Sequence, residues 1–196
     1  MSRTYEFSER LEWSRDADIA IKIKDLLLNL IPGAVDAHPA HRTNDLRGAD
    51  WWVEHASGKH IAIDVKLRGK DYLRAEGRDD VALEKWSVKE KSIVGWTLDE
   101  SKITEFVLWY WRETGRFKLV SFALLCGTFK QHSEDWCERY PVKPQFTPRS
   151  SSGYHSECVI VPWETLYRAM DEFSAGSQIS ENNNSNQEPT TEGLNF

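Results

Sequence analysis

The amino-acid sequence predicts an α/β domain in which helices flank a central mixed sheet, and three features indicate this class. Apolar residues recur at the helical period in residues 19–30. Apolar and polar residues alternate at the strand period of two on both sides of Ser57-Gly58, which predicts a β-hairpin. Strand-like and helix-like stretches then alternate along the chain, as they do in α/β folds.

The first elements follow from local signals. Ser14 or Asp16 is available to cap the first helix, and Pro32-Gly33 ends it. A polar loop leads to the hairpin, and alternation in residues 81–84 predicts a third strand. Thr97 and Glu100 have capping-box spacing, which predicts a second helix that ends at Gly115.

The second half is predicted in the same way. We predict a strand over residues 118–125, a helix over 129–139, an irregular loop containing Pro141, Pro144 and Pro148, a short strand CVIVP and a final helix over 163–173. A single domain therefore spans residues 1–173. The Asn/Ser-rich segment 174–196 has almost no large apolar residues, and it is expected to be disordered.

Composition limits the function classes. The chain has 196 residues, of which 40% are hydrophobic, and nine tryptophans, as expected for a folded core. Its net charge of -6 argues against a protein that binds nucleic acid non-specifically along its length. The charge is compatible with an enzyme that binds a few phosphates locally. No signal-peptide core or membrane-length apolar stretch is present, so a cytoplasmic protein without membrane contact is expected.

Three cysteines do not make a disulfide framework. Cys137 and Cys158, with His132 and His155 nearby, invite a zinc hypothesis, but no recognised ligand spacing supports it.

The chemistry is concentrated in the hairpin ADWWVEHASGKHIAIDVK. Asp64 and Lys66 fall on one face of the second arm, opposite the apolar Ile63 and Val65, and Asp50 begins the first arm. Placing two carboxylates and an ammonium beside an apolar surface costs free energy, which is expected only where a metal ion and a reaction need these groups. For Asp50 to share their face, the hairpin loop must contain an odd number of residues. The sequence favours Ser57-Gly58-Lys59, which would place Asp50 opposite Lys66.

This pattern resembles the PD-(D/E)XK nuclease superfamily, whose signature is an acid, a gap, and then acid-x-lysine on the next strand. Asp50, Asp64 and Lys66 match that signature, and VALEKWSV followed by TLDESKITEFVLWYW extends the likeness over about residues 10–125. The chain departs from the pattern in having Ala49 where proline is usual. The resemblance implies a restriction-endonuclease-like αβββαβ core and a metal-dependent nuclease that acts on DNA, with RNA and a homodimer left open.

The resemblance also implies roles for individual residues. Asp50, Asp64 and the Val65 carbonyl would bind Mg²⁺ or Mn²⁺, since both ions prefer oxygen ligands. Lys66 would orient or activate the attacking water. Glu84 would be a third catalytic acid, or equally an exposed strand residue in an ion pair. Arg68, Lys70 and Trp52 would contact the substrate.

Two alternatives stay open. The chain is a catalytically silent protein of the nuclease fold that binds DNA or another protein, or it is an unrelated α/β domain in which the triplet is a coincidence. In the second case Asp64 and Lys66 would be a solvated pair on an edge strand, with Asp50 in a turn.

Overall fold

The computed structural model describes residues 16–41, 47–147 and 153–185. The described elements, in chain order, are α1 (Ala17–Leu30), β1 (Ala34–Pro39), β2 (Trp51–His55), β3 (His60–Arg68), α2 (Tyr72–Glu76), β4 (Asp80–Val88), β5 (Ile93–Val94), β6 (Phe106–Trp111), β7 (Phe117–Ser121), α3 (Phe122–Arg139), β8 (Val142–Thr147), β9 (Tyr154–Pro162) and α4 (Trp163–Ser185). Short 3₁₀ turns at Lys89–Lys91 and Trp96–Leu98 flank β5. The chain is therefore of the α/β class.

A five-stranded mixed sheet forms the first layer, in the order β1-β2-β3-β6-β7. Strands β1, β2 and β3 make an antiparallel meander, whereas β6 lies parallel to β3. The connection from β3 to β6 runs through a second sheet, because β4 and β5 belong to a four-stranded antiparallel sheet ordered β5-β4-β9-β8.

Helix α1 covers one face of the first sheet. The Asp16 carboxylate accepts a hydrogen bond from the Asp18 N–H at 3.1 Å and so caps the helix. The helical period then places Ile19, Ile23 and Leu27 on one buried side, which packs on Ile63 of β3 and its neighbours.

A larger core joins the other face of the first sheet to the second sheet and to helices α3 and α4. Trp109, Trp136 and Trp163 are among its fully buried side chains. The Trp109 and Trp163 rings meet edge to face with centroids 4.9 Å apart, a favoured arrangement of aromatic pairs. These three tryptophans thus stabilise packing between the layers.

The predicted second helix is wrong. The run FVLWYW forms β6, and its buried side chains alternate between the two cores. Aromatic and β-branched residues suit a strand that is buried on both faces, and such a run has no polar stripe with which to mark its period. Thr97 does not cap a helix, since its hydroxyl accepts a hydrogen bond from the Glu84 N–H at 3.0 Å.

Other boundaries also differ from those predicted. Strand β1 was not predicted, and the predicted third strand is β4 of the second sheet, not a neighbour of the hairpin. The proline segment forms β8, where Pro144 is tolerated because β8 is an edge strand. Helix α4 continues to Ser185, so the first part of the segment predicted to be disordered is helical. Residues 186–196 lie outside the described part.

In the described ranges, no helix has both the length and the apolar character that crossing a membrane requires.

Candidate functional site

The hairpin brings the Asp50 and Asp64 side chains together. Strand β2 pairs Trp51 with Ile63, which is the last pair of the β2–β3 register. The Asp50 N–H donates to the Ile63 carbonyl at 2.9 Å, so Asp50 lies in an irregular position before β2 and not in a regular pair with Asp64. Its side chain nevertheless reaches β3, where the carboxyl group lies beside that of Asp64. The two predicted acids are therefore neighbours.

The predicted hairpin loop has the correct, odd number of residues but lies one residue too far along the chain. The His55 N–H donates to the Lys59 carbonyl at 2.9 Å, so that the loop comprises residues 56–58. Moving the loop by one residue changes the expected register, which placed Asp50 opposite Lys66, to one that pairs Trp51 with Ile63 and brings Asp50 beside Asp64. Because the number of loop residues stays odd, Trp52 and Asp64 share one face.

The acids lie on the face of the first sheet that is turned toward the second sheet. Along the parallel pair, Asp64 is opposite Val107 and Lys66 is opposite Trp109. Both partners belong to the core between the two sheets. Asp64 has only 4% of its surface exposed, so its charge is compensated by protein groups more than by water.

The two carboxyl groups interact strongly. Asp50 Oδ2 accepts a hydrogen bond from the Val65 N–H at 2.7 Å, and the two carboxyl groups lie within hydrogen-bonding reach of each other. Burial, followed by the charge of Asp64, raises the pKa of Asp50 to about 8, although Lys66 opposes this effect. Near neutral pH the Asp50 carboxyl group therefore stays largely protonated.

Lys66 is confined between an acid and an aromatic ring. Its Nζ lies 2.7 Å from Asp64 Oδ1 and 4.5 Å from the centroid of the Trp96 ring. The side chain keeps 23% of its surface exposed, so the ammonium is reachable from solvent. Trp96 was not predicted as a site residue, because a helix was expected to begin at Thr97 and the turn that carries Trp96 was not recognised.

The Asp50–Asp64 pair fits a hard divalent cation. A bound cation would offset the repulsion between the two neighbouring carboxyl groups and would replace the proton of Asp50. Among the described residues, no group of three or more histidine, cysteine, aspartate or glutamate side chains could hold a metal ion. Mg²⁺ needs no such group, because it binds through one or two carboxylates and keeps several waters. The Val65 carbonyl as a further ligand stays a prediction.

Glu84 is occupied elsewhere. Its Oε2 accepts hydrogen bonds from the Trp96 N–H at 3.0 Å and from the Ser87 hydroxyl at 2.8 Å. Both donors belong to β4 and the turn that follows β5, so the carboxylate secures local backbone. A catalytic role for Glu84 stays a prediction, and its observed contacts are those of a structural acceptor.

The predicted substrate contacts lie around the same strands. Trp52 is half-buried, is paired with Ala62, and projects to the face that carries Asp50 and Asp64. Arg68 is two residues beyond Lys66 on the same face of β3. Lys70 lies past the end of the strand, where its Nζ is 2.6 Å from Glu76 Oε1.

Asp50→Asn should stabilise the metal-free protein above neutral pH. The folded pKa of about 8 exceeds the ordinary value of 3.8, so the native state favours the neutral carboxyl. Its contribution is complete below pH about 4 and is lost as the pH rises through about 8. Asparagine mimics the neutral form, and the variant should gain on the order of a few kcal/mol at pH 9 and little at pH 4.

Denaturant unfolding in EDTA across that pH range measures the effect. Asp36→Asn is the matched control, because Asp36 is an acid with a lowered pKa that pairs with Lys24. It should give no such gain. Equal stability of Asp50→Asn and wild type at pH 4 and pH 9 would contradict the pKa shift.

No family model matches the sequence, and no curated protein and no solved structure matches the chain.

Proposed function

We propose that the protein is a metal-dependent nuclease that hydrolyses phosphodiester bonds in DNA. The observation that carries the proposal is that the Asp50 carboxyl group reaches β3 beside the Asp64 carboxyl group, while Lys66 Nζ lies 2.7 Å from Asp64 Oδ1. This is the spatial form of the acid and acid-x-lysine signature. A restriction-endonuclease-like core is part of the proposal, and the antiparallel meander β1–β3 beside a parallel β6 is compatible with it.

Asp50 and Asp64 would hold Mg²⁺ or Mn²⁺, with the Val65 carbonyl as a further oxygen ligand. When bound, such an ion neutralises charge on the phosphate and lowers the pKa of a coordinated water. Asp64 also fixes the Lys66 ammonium through their ion pair. Lys66 would orient the attacking water and balance the negative charge that develops on the phosphate.

Nearby groups would hold the nucleic acid. Arg68 and Lys70 would contact phosphates, and Trp52 offers an aromatic surface on the acid-bearing face. DNA is the proposed substrate, and RNA is the other nucleic acid to test.

A second candidate is a catalytically silent protein of the same fold that binds DNA or another protein. Two observations favour it: Asp64 is almost fully buried, and the Glu84 carboxylate already accepts hydrogen bonds from Trp96 and Ser87. A site in which one acid is nearly buried and another is engaged in local hydrogen bonds is expected in a protein that binds without cutting.

Cleavage of plasmid and oligonucleotide substrates separates the two candidates. The nuclease proposal predicts cleavage with Mg²⁺ or Mn²⁺, no cleavage with EDTA, and binding without cleavage in Ca²⁺. Asp64→Asn, purified in parallel, excludes a contaminating nuclease. DNA binding without cleavage in any of these metals would favour a silent DNA-binding protein. Neither binding nor cleavage would leave only a silent protein that binds another protein.

A further inference from the structure

The ring of Trp96, in the turn that follows β5, covers the Lys66 ammonium. The distance of 4.5 Å from Nζ to the ring centroid is within cation–π range. Asp64 Oδ1 lies 2.7 Å from the same ammonium. A flexible lysine is therefore restricted by an acid on its own strand and by one aromatic ring.

The Trp96 backbone is itself fixed to β4. Its N–H donates to Glu84 Oε2 at 3.0 Å, and the preceding Gly95 N–H donates to the Lys85 carbonyl at 2.8 Å. At Gly95 an added Cβ would lie 2.1 Å from the Glu84 carbonyl oxygen, so only glycine allows this approach. Thr97, which is fully buried, accepts the Glu84 N–H.

The Trp96 ring is supported by the core beneath it. Its centroid lies 6.1 Å from that of Trp109, which in turn packs on Trp163. The hydrogen bonds to β4 fix the Trp96 backbone, and the Trp109 ring packs against the Trp96 ring. The indole therefore has few alternative positions and is a rigid surface for the ammonium.

We infer that Trp96 is a positioning residue for Lys66, and that Glu84 acts through Trp96 by anchoring its backbone. This inference rests on the proposed nuclease function and assigns Glu84 a supporting role in place of metal binding. A long lysine side chain loses much conformational freedom when it is held in one geometry. Contact with the indole restricts the Lys66 side chain before substrate binds. This loss of conformational freedom is therefore already complete in the bound complex, which raises the rate of the reaction from that complex.

Two substitutions at Trp96 test the kinetic consequence. Trp96→Leu should lower kcat on the order of tenfold, the rate equivalent of one cation–π contact, with KM and Mg²⁺ affinity nearly unchanged. Trp96→Phe keeps an aromatic face and should recover most of the loss. Trp86→Leu is the matched control, because Trp86 is a half-buried tryptophan of β4 and should leave kcat near the wild-type value. A KM effect alone, or equal losses in Leu and Phe, would overturn the inference.

A spectroscopic measurement tests the placement without any activity. Reductive methylation with ¹³C-formaldehyde converts lysines to charged dimethyl forms, and the Lys66 signal is identified by its absence in Lys66→Arg. The indole ring current should shift that signal upfield in the wild type, and Trp96→Leu should remove the shift. A wild-type signal at the ordinary lysine position, or a shift that persists in Trp96→Leu, would refute the positioning.

Glu84 variants distinguish an anchor from a metal ligand. Glu84→Gln keeps an oxygen acceptor for the Trp96 N–H and should retain the Lys66 shift, whereas Glu84→Ala should reduce it. Calorimetric Mg²⁺ affinity should be unchanged in both variants, and a clear loss in Glu84→Gln would show that Glu84 is a ligand. If neither the wild type nor any variant cleaves DNA, the nuclease proposal fails. The NMR signal then still shows whether Lys66 lies against the Trp96 ring.

Discussion

Lys66→Ala should lower the rate of DNA cleavage by a factor on the order of 10² or more, the usual scale for losing a positioned proton-transfer group. Metal affinity should survive, because the proposed oxygen ligands remain and a neighbouring positive charge is gone. Asp64→Asn should differ, because it abolishes cleavage and also weakens Mg²⁺ binding. Single-turnover kinetics and calorimetric Mg²⁺ titration give the two quantities separately.

Lys59→Ala is the control for a lost lysine on the same hairpin. Lys59 is exposed beside the loop, so its removal should leave the cleavage rate near the wild-type value. Circular dichroism checks that Lys66→Ala stays folded even though it leaves Asp64 without its cationic partner. Full cleavage activity in folded Lys66→Ala would show that the lysine has no part in the reaction.

The largest stability effect is expected at Arg116, away from the candidate site. Its Nε and Nη2 donate to both carboxylate oxygens of Asp71 at 2.9 and 2.8 Å, and its Nη1 donates to Asp79 at 2.8 Å. The guanidinium lies 3.7 Å from the centroid of the Trp111 ring. Arg116→Met leaves the buried Asp71 carboxylate without its cationic partner, although the Thr114 hydroxyl and the Leu73 N–H still donate to it. Unfolding measurements at pH 7 should show a loss of about 3–5 kcal/mol.

The pH dependence gives a second check on this ion pair. The hydrogen bonds from Arg116 lower the pKa of Asp71 to about 2, below the ordinary value of 3.8. The stabilisation is therefore complete above pH about 4 and is lost as the pH falls through about 2. The difference between wild type and Arg116→Met should shrink over that interval.

Arg139→Met is the matched control, since Arg139 makes an exposed ion pair with Asp135 four residues earlier on α3. Such pairs contribute about 0.3–0.5 kcal/mol. The combination Asp71→Asn with Arg116→Met should regain part of the loss, because no buried charge is then left unpaired. A loss below 1 kcal/mol in Arg116→Met would contradict the account.

The candidate site could be predicted where its geometry is local. A strand period of two and a short loop are enough to place Asp50, Asp64 and Lys66 on one face, although the loop position was one residue off. Trp96 could not be found in this way. Its contact with Lys66 depends on a second sheet whose position is set by pairing between β4 and β9, which are far apart in the sequence.

The same distinction explains the fold predictions. Helix α1 has one apolar stripe and clear end signals, and it was predicted nearly to the residue. Strand β6 is buried on both faces, so its sequence has no alternation, and Thr97 with Glu100 supplied a false helix start. Strand β8 contains Pro144 and four exposed residues, and only its pairing with β9 makes it a strand.

The parallel pairing of β3 with β6 has a kinetic consequence. The hairpin that carries both acids and the lysine closes a short loop, and such loops form within microseconds. Pairing of β6 with β3 closes a much longer loop, residues 69–105, part of which forms β4 and β5 of the second sheet. We therefore expect the acids and the lysine to come together early in folding and in water, whereas the apolar surroundings that make Asp50 hold its proton are added later.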